Sequence, residues 1–484
     1  MISRRSARRA GVPHLCASRV VRFVAGALVL SLVALILSRA LYFSRVPVRS
    51  ALSPTLLASR AAGGVQRDAD GGATLALRRI FDGKRVFVLS HEASATGAPR
   101  LCAELAVLLR DAGASVIFST SRETSGVTLE HLSELVSGLV PGAARLVFDV
   151  SADVDLAAKS DFIIVSSADS RQARWVQAFR AAHPLFPSLA WWIHEGATVM
   201  SVYPSGTARR AADIMTTPGM VNSLIFPSVS TRDWWGAVAP SAALIANAHV
   251  ILWGIPHWRD ADFRRAAADT NFRASLRAAQ GYNDDDFVFV ALASYHNIKG
   301  HAGIVAALRA ARPACARRLR LVAAGAGLGT ASWLRKQDHF PTAEFDWALY
   351  DADIRLEGPT HFAAEYLAAA DAFVSNTKVD GETWGLASLE ALAMGLPVLA
   401  SDVGGSLEQL EHNVTALLHT VARVARVEDD GNAEVPELAR HMCSIATDAV
   451  LRKRITDAGT AKVKEAFSQT NIERQLVHVF GGAS

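Results

Sequence analysis

Acidic residues are absent from the start of the chain: no Asp or Glu precedes Asp68, whereas eleven arginines lie between Arg4 and Arg67. Removing those eleven charges from the formal +4 of the whole leaves the remainder near −7. The basic balance belongs to a leader, and nucleic-acid binding by a folded body finds no support. Cysteine is scarce as well. Cys16, Cys102, Cys315 and Cys443 lie far apart, with neither metal-ligand spacing nor a disulfide pattern, which predicts buried free thiols. No internal tandem repeat is present. Asp-x-Asp pairs occur at Asp260/Asp262, at Asp351/Asp353 and in the run Asp284 to Asp286. They fall in polar connecting segments, where solvated charge is the expected state, and no metal is expected.

Within the leader, Phe23 to Ser38 is a run of sixteen uncharged, largely apolar residues. A bilayer asks for about 20, a gap that snorkelling arginines and a thinner internal membrane close. Six arginines precede the run and three follow closely, so the positive-inside rule puts the N-terminus in the cytosol. The expectation is a single-pass type II signal-anchor: a basic tail over 1–22, a transmembrane segment over 23–43 and a flexible, Ser/Pro/Ala/Gly-rich stem over 44–83. The body then lies in the lumen of the ER or Golgi. Two alternatives stay open. One is a cleaved signal peptide, although no small-x-small site is evident; the other is a plastid transit peptide, which an acid-free Arg/Ser/Ala-rich start also suits.

A chain of 484 residues that is 50% hydrophobic leaves room for two domains past the stem. Short apolar runs alternate with amphipathic helical stretches: RVFVLS from Arg85, SVIFST, RLVFDV, DFIIVSS, LAWWIHE, SLIFPS and HVILWG. A polar helical segment, 259–286, separates these from FVFVALAS, LRLVAAG, IRLEGP, AFVSNT and PVLASD. Nearly continuous apolar strands alternating with helices predict parallel sheets covered on both faces. The predicted class is therefore α/β, with two Rossmann-like doubly wound domains facing one another across a cleft, over 84–258 and 287–465. A helix in 466–484 is expected to pack back on the first domain.

One stretch of the second domain stands out, GETWGLASLEALAMGLPVLASDVGG from Gly381 to Gly405. A strand ends near Thr377, a loop carries Glu382, and a helix is predicted to start near Gly385. Leu386, Leu389 and Ala393 share one face of that helix, and Gly395 stops it before Pro397. Ligands of such folds collect at the carboxyl ends of the strands. A helix start presents amide groups and a positive dipole end to a phosphate. Glu382 ahead of the helix and Glu390 inside it reach opposite sides of such a phosphate, and Gly404 and Gly405 let the backbone approach closely. A nucleotide-sugar is the ligand that calls for all three. Lys299, after the strand FVFVALAS, puts a cation at the same strand ends.

This stretch, together with EGPTHFAAEYLAAADAFVSNT before it and HNVTALLH after it, resembles the donor-site signature of glycosyltransferase family 4. LSHEASATGAPRLCAELAVLLRDAGASV resembles the first loop and helix of that family's N-terminal domain, and AWWIHE, SLIFPS and SYHNIKGH follow in the right order. The likeness runs from about Arg85 to Phe480 and looks closest to plant-type members with an N-terminal anchor. It implies a retaining, metal-independent GT-B enzyme that moves a sugar from a nucleotide-sugar to an acceptor hydroxyl on a glycan or other molecule, with no other cofactor. It also implies that Glu390 holds the donor ribose, Glu382 the transferred sugar and Lys299 the diphosphate. Gly97, Gly385, Leu386, Gly404 and Gly405 would line the donor, and His194 would stand near the reacting sugar. One position departs from the pattern. Ser294 stands where the family usually has an arginine, five residues before the lysine, which keeps two other readings open: a weakly catalytic sugar-binding or scaffold relative, or a nucleotide-sugar hydrolase or epimerase. Asn413-Val-Thr415 is a glycosylation pattern, usable only in a lumen.

Overall fold

A computed structural model describes residues 71–92, 96–120, 150–196, 200, 206–295, 297–325, 353–357, 363–378, 381–421 and 435–481. The tail, the segment 23–43, most of the stem, Cys16 and Asp351 lie outside the described residues. Among the described residues no helix is long and apolar enough to cross a membrane. The end of the predicted stem is not flexible chain. Residues Gly71–Phe81 form a helix, α1, whose Leu77 and Phe81 are buried in the first domain.

The first domain holds six parallel strands in the order β2-β1-β3-β4-β5-β6. They are β1 (Arg85–Ser90), β2 (Ser115–Thr120), β3 (Phe162–Ser166), β4 (Leu189–Trp192), β5 (Ser223–Phe226) and β6 (Ala248–Val250). Between them run α2 (Gly97–Asp111), α3 (Val150–Ala157), α4 (Ser170–Ala182), α5 (Thr207–Thr216), α6 (Val229–Val238) and α7 (Ala242–Asn247). Every residue of β3 and β4 is buried, as expected of strands covered on both faces. Of the predicted strand RLVFDV only Val150 is described, and it opens α3.

Helices α8 (His257–Ala268) and α9 (Thr270–Ala279) cross to the second domain. Its parallel sheet has the order β12-β11-β10-β7-β8-β9. The strands are β7 (Asp286–Leu292), β8 (Arg318–Ala324), β9 (Ile354–Glu357), β10 (Ala372–Val374), β11 (Val398–Ser401) and β12 (Leu417–His419). The helices are α10 (His301–Ala311), α11 (Ala363–Ala369), α12 (Leu386–Ala393), α13 (Ser406–Gln409), α14 (Val435–Thr447), α15 (Ala449–Ala466) and α16 (Gln469–Phe480). Strand β12 was not anticipated, because three residues in TALLH are too few to show a period. Strand order places the site. Since β10 lies between β7 and β11, the loops leaving those three strands emerge side by side at one end of the sheet, next to the point where the order reverses.

The chain returns to the first domain at its end. The Ile255 amide donates to the Phe467 carbonyl at 2.7 Å, and any side chain at Gly254 would overlap that carbonyl. Helix α16 then packs on α1, with the Phe480 ring 5.5 Å from Phe81 and 6.0 Å from Phe162. The expectation of free thiols needs correction. Cys315 and Cys443 form a disulfide, with Cα atoms 5.5 Å apart. Cys443 lies on α14, which packs against α10, and Cys315 lies just past the end of α10. A sequence separation of 128 hid the pair. Cys102 is free and buried, and burial pushes its thiol up to about 12.

Phe480 is almost fully buried against two other rings. Phe480→Ala should therefore cost roughly 3–5 kcal/mol in urea unfolding, the usual range for removing a core ring; a loss under about 1 kcal/mol would show that α16 is not integral to the first domain.

Candidate functional site

Lys299 reaches the cleft through a short helical turn after β7. Gly300, which follows it, is left-handed with φ +57°, and a side chain there would strike the Asn376 carbonyl. Asn376, buried at the end of β10, donates its amide to the Gly300 carbonyl at 3.1 Å. Its Oδ1 lies 2.9 Å from His419 Nε2. Because the Asn376 amide nitrogen is already donating, Oδ1 must accept, so His419 carries its proton on Nε2. A buried chain of contacts from β12 through β10 thus fixes the turn that carries Lys299.

Opposite this turn, Lys299 Nζ lies 3.0 Å from Glu382 Oε2, and the same oxygen accepts the Thr377 hydroxyl at 3.0 Å. Glu382 is set by its backbone. The Gly405 amide donates to the Glu382 carbonyl at 2.9 Å. Side chains at Gly404 or Gly405 would overlap the Glu382 and Thr383 carbonyls. Those glycines therefore serve the Glu382 loop directly. Gly385 is the N-cap of α12, and a Cβ there would come within 3.1 Å of Gln409 Oε1. Across the cleft, a Cβ at Gly97, the first residue of α2, would sit 3.9 Å from Leu386 Cδ1. The starts of α2 and α12, one from each domain, face each other.

Glu390 lies deeper than a solvated carboxylate, at 2% exposure. Its Oε1 takes Arg259 Nη2 at 2.5 Å and Arg100 Nη1 at 3.1 Å. Arg259 Nη1 also reaches Glu104 Oε1 at 2.7 Å, and Glu104 Oε2 accepts the Trp253 indole at 2.8 Å. Two guanidiniums and two carboxylates therefore form a buried, charge-balanced cluster joining α2, α8 and α12. Burial alone would raise the Glu390 carboxyl, but the Arg100 and Arg259 charges overcome that and hold it below its ordinary value.

His194, past the end of β4, has its ring 4.9 Å from Trp192. Its Nε2 is buried with no hydrogen-bond partner among the described residues. Burial first, then the nearby His91, push it down to about 3, so it is neutral at pH 7. The structure thus groups Lys299, Glu382, Gly404 and Gly405 in the second domain and apposes Gly97 to Leu386. It ties Glu390 to arginines and leaves His194 on the first-domain side with His91. Ser294 lies at the end of β7 and is partly exposed. Of the Asp-x-Asp look-alikes, Asp260 pairs with Arg264, Asp262 pairs with Arg265 at 3.6 Å, and Asp286 pairs with Arg320 at 2.8 Å. Asp353 pairs with Arg318 at 2.6 Å. Arg100, Glu104, Arg259, Asn376 and His419 were missed. Arg100 and Glu104 sit four apart on a helix, an ordinary surface pair by spacing, and their true partners are far away in sequence.

Two sheets facing across a glycine-lined mouth, with a cation and carboxylates at the strand ends, define a GT-B type of molecule. The family model described as "Glycosyl-transferase family 4" matches residues 82–255, and "Glycosyl transferases group 1" matches residues 284–446. The chain belongs to the family 4 type of glycosyltransferases. It is similar to the alpha-maltose-1-phosphate synthase of Mycolicibacterium smegmatis, 33% identical over 122 residues, 25% of this chain and 30% of that protein. It is also similar to the D-inositol 3-phosphate glycosyltransferase of Stackebrandtia nassauensis, 32% identical over 180 residues, 37% of each chain. The chain spans about a third of the length of the curated relatives it matches. Among solved structures, Anabaena Alr3699/HepE in complex with UDP and glucose aligns with TM-score 0.65 at 16% identity, covering 82% of this chain and 100% of that one. Sucrose-phosphate synthase from Thermosynechococcus elongatus aligns with TM-score 0.61 at 16% identity, covering 82% and 98%.

Removing one member of a buried ion pair strands its partner. Arg259→Met should cost roughly 3–5 kcal/mol in urea unfolding, with part of the loss recovered when Glu390→Gln is added; additive losses would mean that the two side chains do not interact. A second outcome concerns pH. Burial lowers His194 to about 3, His301 to about 4 and His419 to about 3. Below about 6.5 the unfolded chain therefore binds protons that the folded protein refuses, and stability rises with pH between about 4 and 6.5. Urea midpoints across that window should climb, and a His301→Asn variant should climb less steeply.

Proposed function

We propose that the protein transfers a glycosyl group from a nucleoside-diphosphate sugar to an acceptor hydroxyl, with retention at the anomeric carbon and without a metal ion. The observation that carries this reading is the Lys299–Glu382 pair, 3.0 Å apart, on glycine-tightened loops beside the start of α12. When the bond from the anomeric carbon to the diphosphate breaks, the electron pair leaves with the phosphate and positive charge grows on the sugar. Lys299 and the positive end of the α12 dipole meet the leaving charge, while Glu382 faces the sugar. The acceptor oxygen forms its new bond on the face the diphosphate leaves, and its proton passes to a phosphate oxygen. Glu390, with Oε1 held by Arg100 and Arg259, offers Oε2 to a ribose hydroxyl. Neutral His194, with an unpaired Nε2, supplies a hydrogen-bonding group on the acceptor side. Gly97 leaves room between the two helix starts.

The leader is proposed to anchor the chain as a single-pass type II protein of the ER or Golgi, with the body luminal. A disulfide between Cys315 and Cys443 suits an oxidising compartment, and Asn413 is exposed. The UDP and UDP-glucose complexes of Anabaena HepE make UDP-sugars the first donors to try. The rival is a sugar-binding relative without turnover. It draws on Ser294: Lys299 is already paired with Glu382, and the serine adds no second cation.

A panel of nucleoside-diphosphate sugars, with and without hydroxyl acceptors, should show nucleoside-diphosphate release that EDTA leaves unchanged. Lys299→Ala should reduce release about 100-fold, as for loss of one charge-stabilising donor. Donor binding without release from any sugar would favour the rival, and release restored only by manganese would end the metal-free mechanism.

A further inference from the structure

Helix α6 begins at the carboxyl end of β5, in the acceptor domain, with Ser228 as its N-cap. The Ser228 hydroxyl accepts the Thr231 amide at 3.2 Å, in the usual manner of a cap. The two amides before it are satisfied from the other domain. Glu408 Oε2 accepts the Val229 amide at 2.8 Å, and Oε1 accepts the Ser230 amide at 2.8 Å. A carboxylate from 178 residues away in sequence thus seats with both oxygens on the positive end of an acceptor-domain helix. Glu408 stands on α13, directly after Gly404 and Gly405, and the Glu408 amide donates back to the Gly405 carbonyl at 3.2 Å. Gly405 is in turn bonded to the Glu382 carbonyl. A short, stiff path therefore links the first turn of α6 to the carboxylate that faces the sugar.

We propose that Glu408 is a positioning residue, a clip that sets the donor loop against the first domain. This rests on the reading of Lys299 and Glu382 as the donor site. Two features favour this role. The contact is two charge-assisted hydrogen bonds made by both oxygens of one carboxylate to a helix start, which fixes direction as well as distance. It also acts on a loop that must hold Glu382 in register with groups on the opposite domain, and small misplacement there slows reaction sharply.

The test uses the full chain with Cys16→Ser, Leu185→Cys and Val450→Cys. Leu185 is 92% exposed on the first domain, and Val450 is 79% exposed on the second. Spin labels at these positions should give a narrow distance distribution in the parent. Glu408→Ala, and to a lesser degree Glu408→Gln, should broaden it toward longer distances. With the donor found in the release assay, kcat for transfer should fall about tenfold, ~1.4 kcal/mol, with donor KM within about twofold. An unchanged distance distribution in both variants overturns the clip, whether or not the chain transfers sugar. A shifted distribution with unchanged kcat, or a rise in donor KM alone, overturns the positioning role. Failure of the parent to release nucleoside diphosphate counts against the transferase reading instead, and the distance measurement still judges the clip.

Discussion

The four-charge cluster of Arg100, Glu104, Arg259 and Glu390 is the constraint on which the rest depends. Taking two guanidiniums and two carboxylates out of water is costly, and mutual attraction offsets that cost only if every member is in place. The members come from α2 of one domain, the connecting helix α8 and α12 of the other. A misplaced domain would therefore leave buried charges unpaired. Ion pairs of this kind add little net stability but penalise wrong arrangements, and the geometry here applies that penalty to the relation between the domains. The indole of Trp253, bonded to Glu104, and its carbonyl, which accepts the Trp384 indole at 2.8 Å, extend the same seam into apolar packing.

Around that seam, backbone does most of the shaping. Gly300, Gly404 and Gly405 each let one peptide press against another where any side chain would collide. The carbonyls they touch belong to Asn376, Glu382 and Thr383, residues that hold or carry the ion pair at the mouth. Tight contacts between main-chain segments leave little freedom, so the backbones that carry Lys299 and Glu382 are held in fixed relation. Such rigidity suits the proposed donor site, because charge stabilisation works best without reorganisation at the moment of reaction.

The class of fold was legible because wholly apolar strands between helices have few other solutions; eleven of the twelve predicted runs overlap a strand, and of RLVFDV only Val150 is among the described residues. The Glu382 loop, the helix from Leu386 and the two glycines beyond β11 were also legible, since each follows from local punctuation. What escaped reading was long-range. Arg259 looked like one of many charges in a polar connector. Cys315 and Cys443 gave no local hint of one another. His419 was an unremarked residue until β12 placed it beside Asn376. The arginines that share Glu390 Oε1 escaped as well, because spacing along a helix says nothing of what the opposite domain presents.

The return of α16 to the first domain has a consequence for biosynthesis. Phe81 and Phe162 belong to the half that leaves the ribosome early, yet the ring that packs against both comes from residue 480. Until then that edge of the nascent domain stays greasy and uncovered, a surface that folding helpers would have to shield while the second half is still being translated.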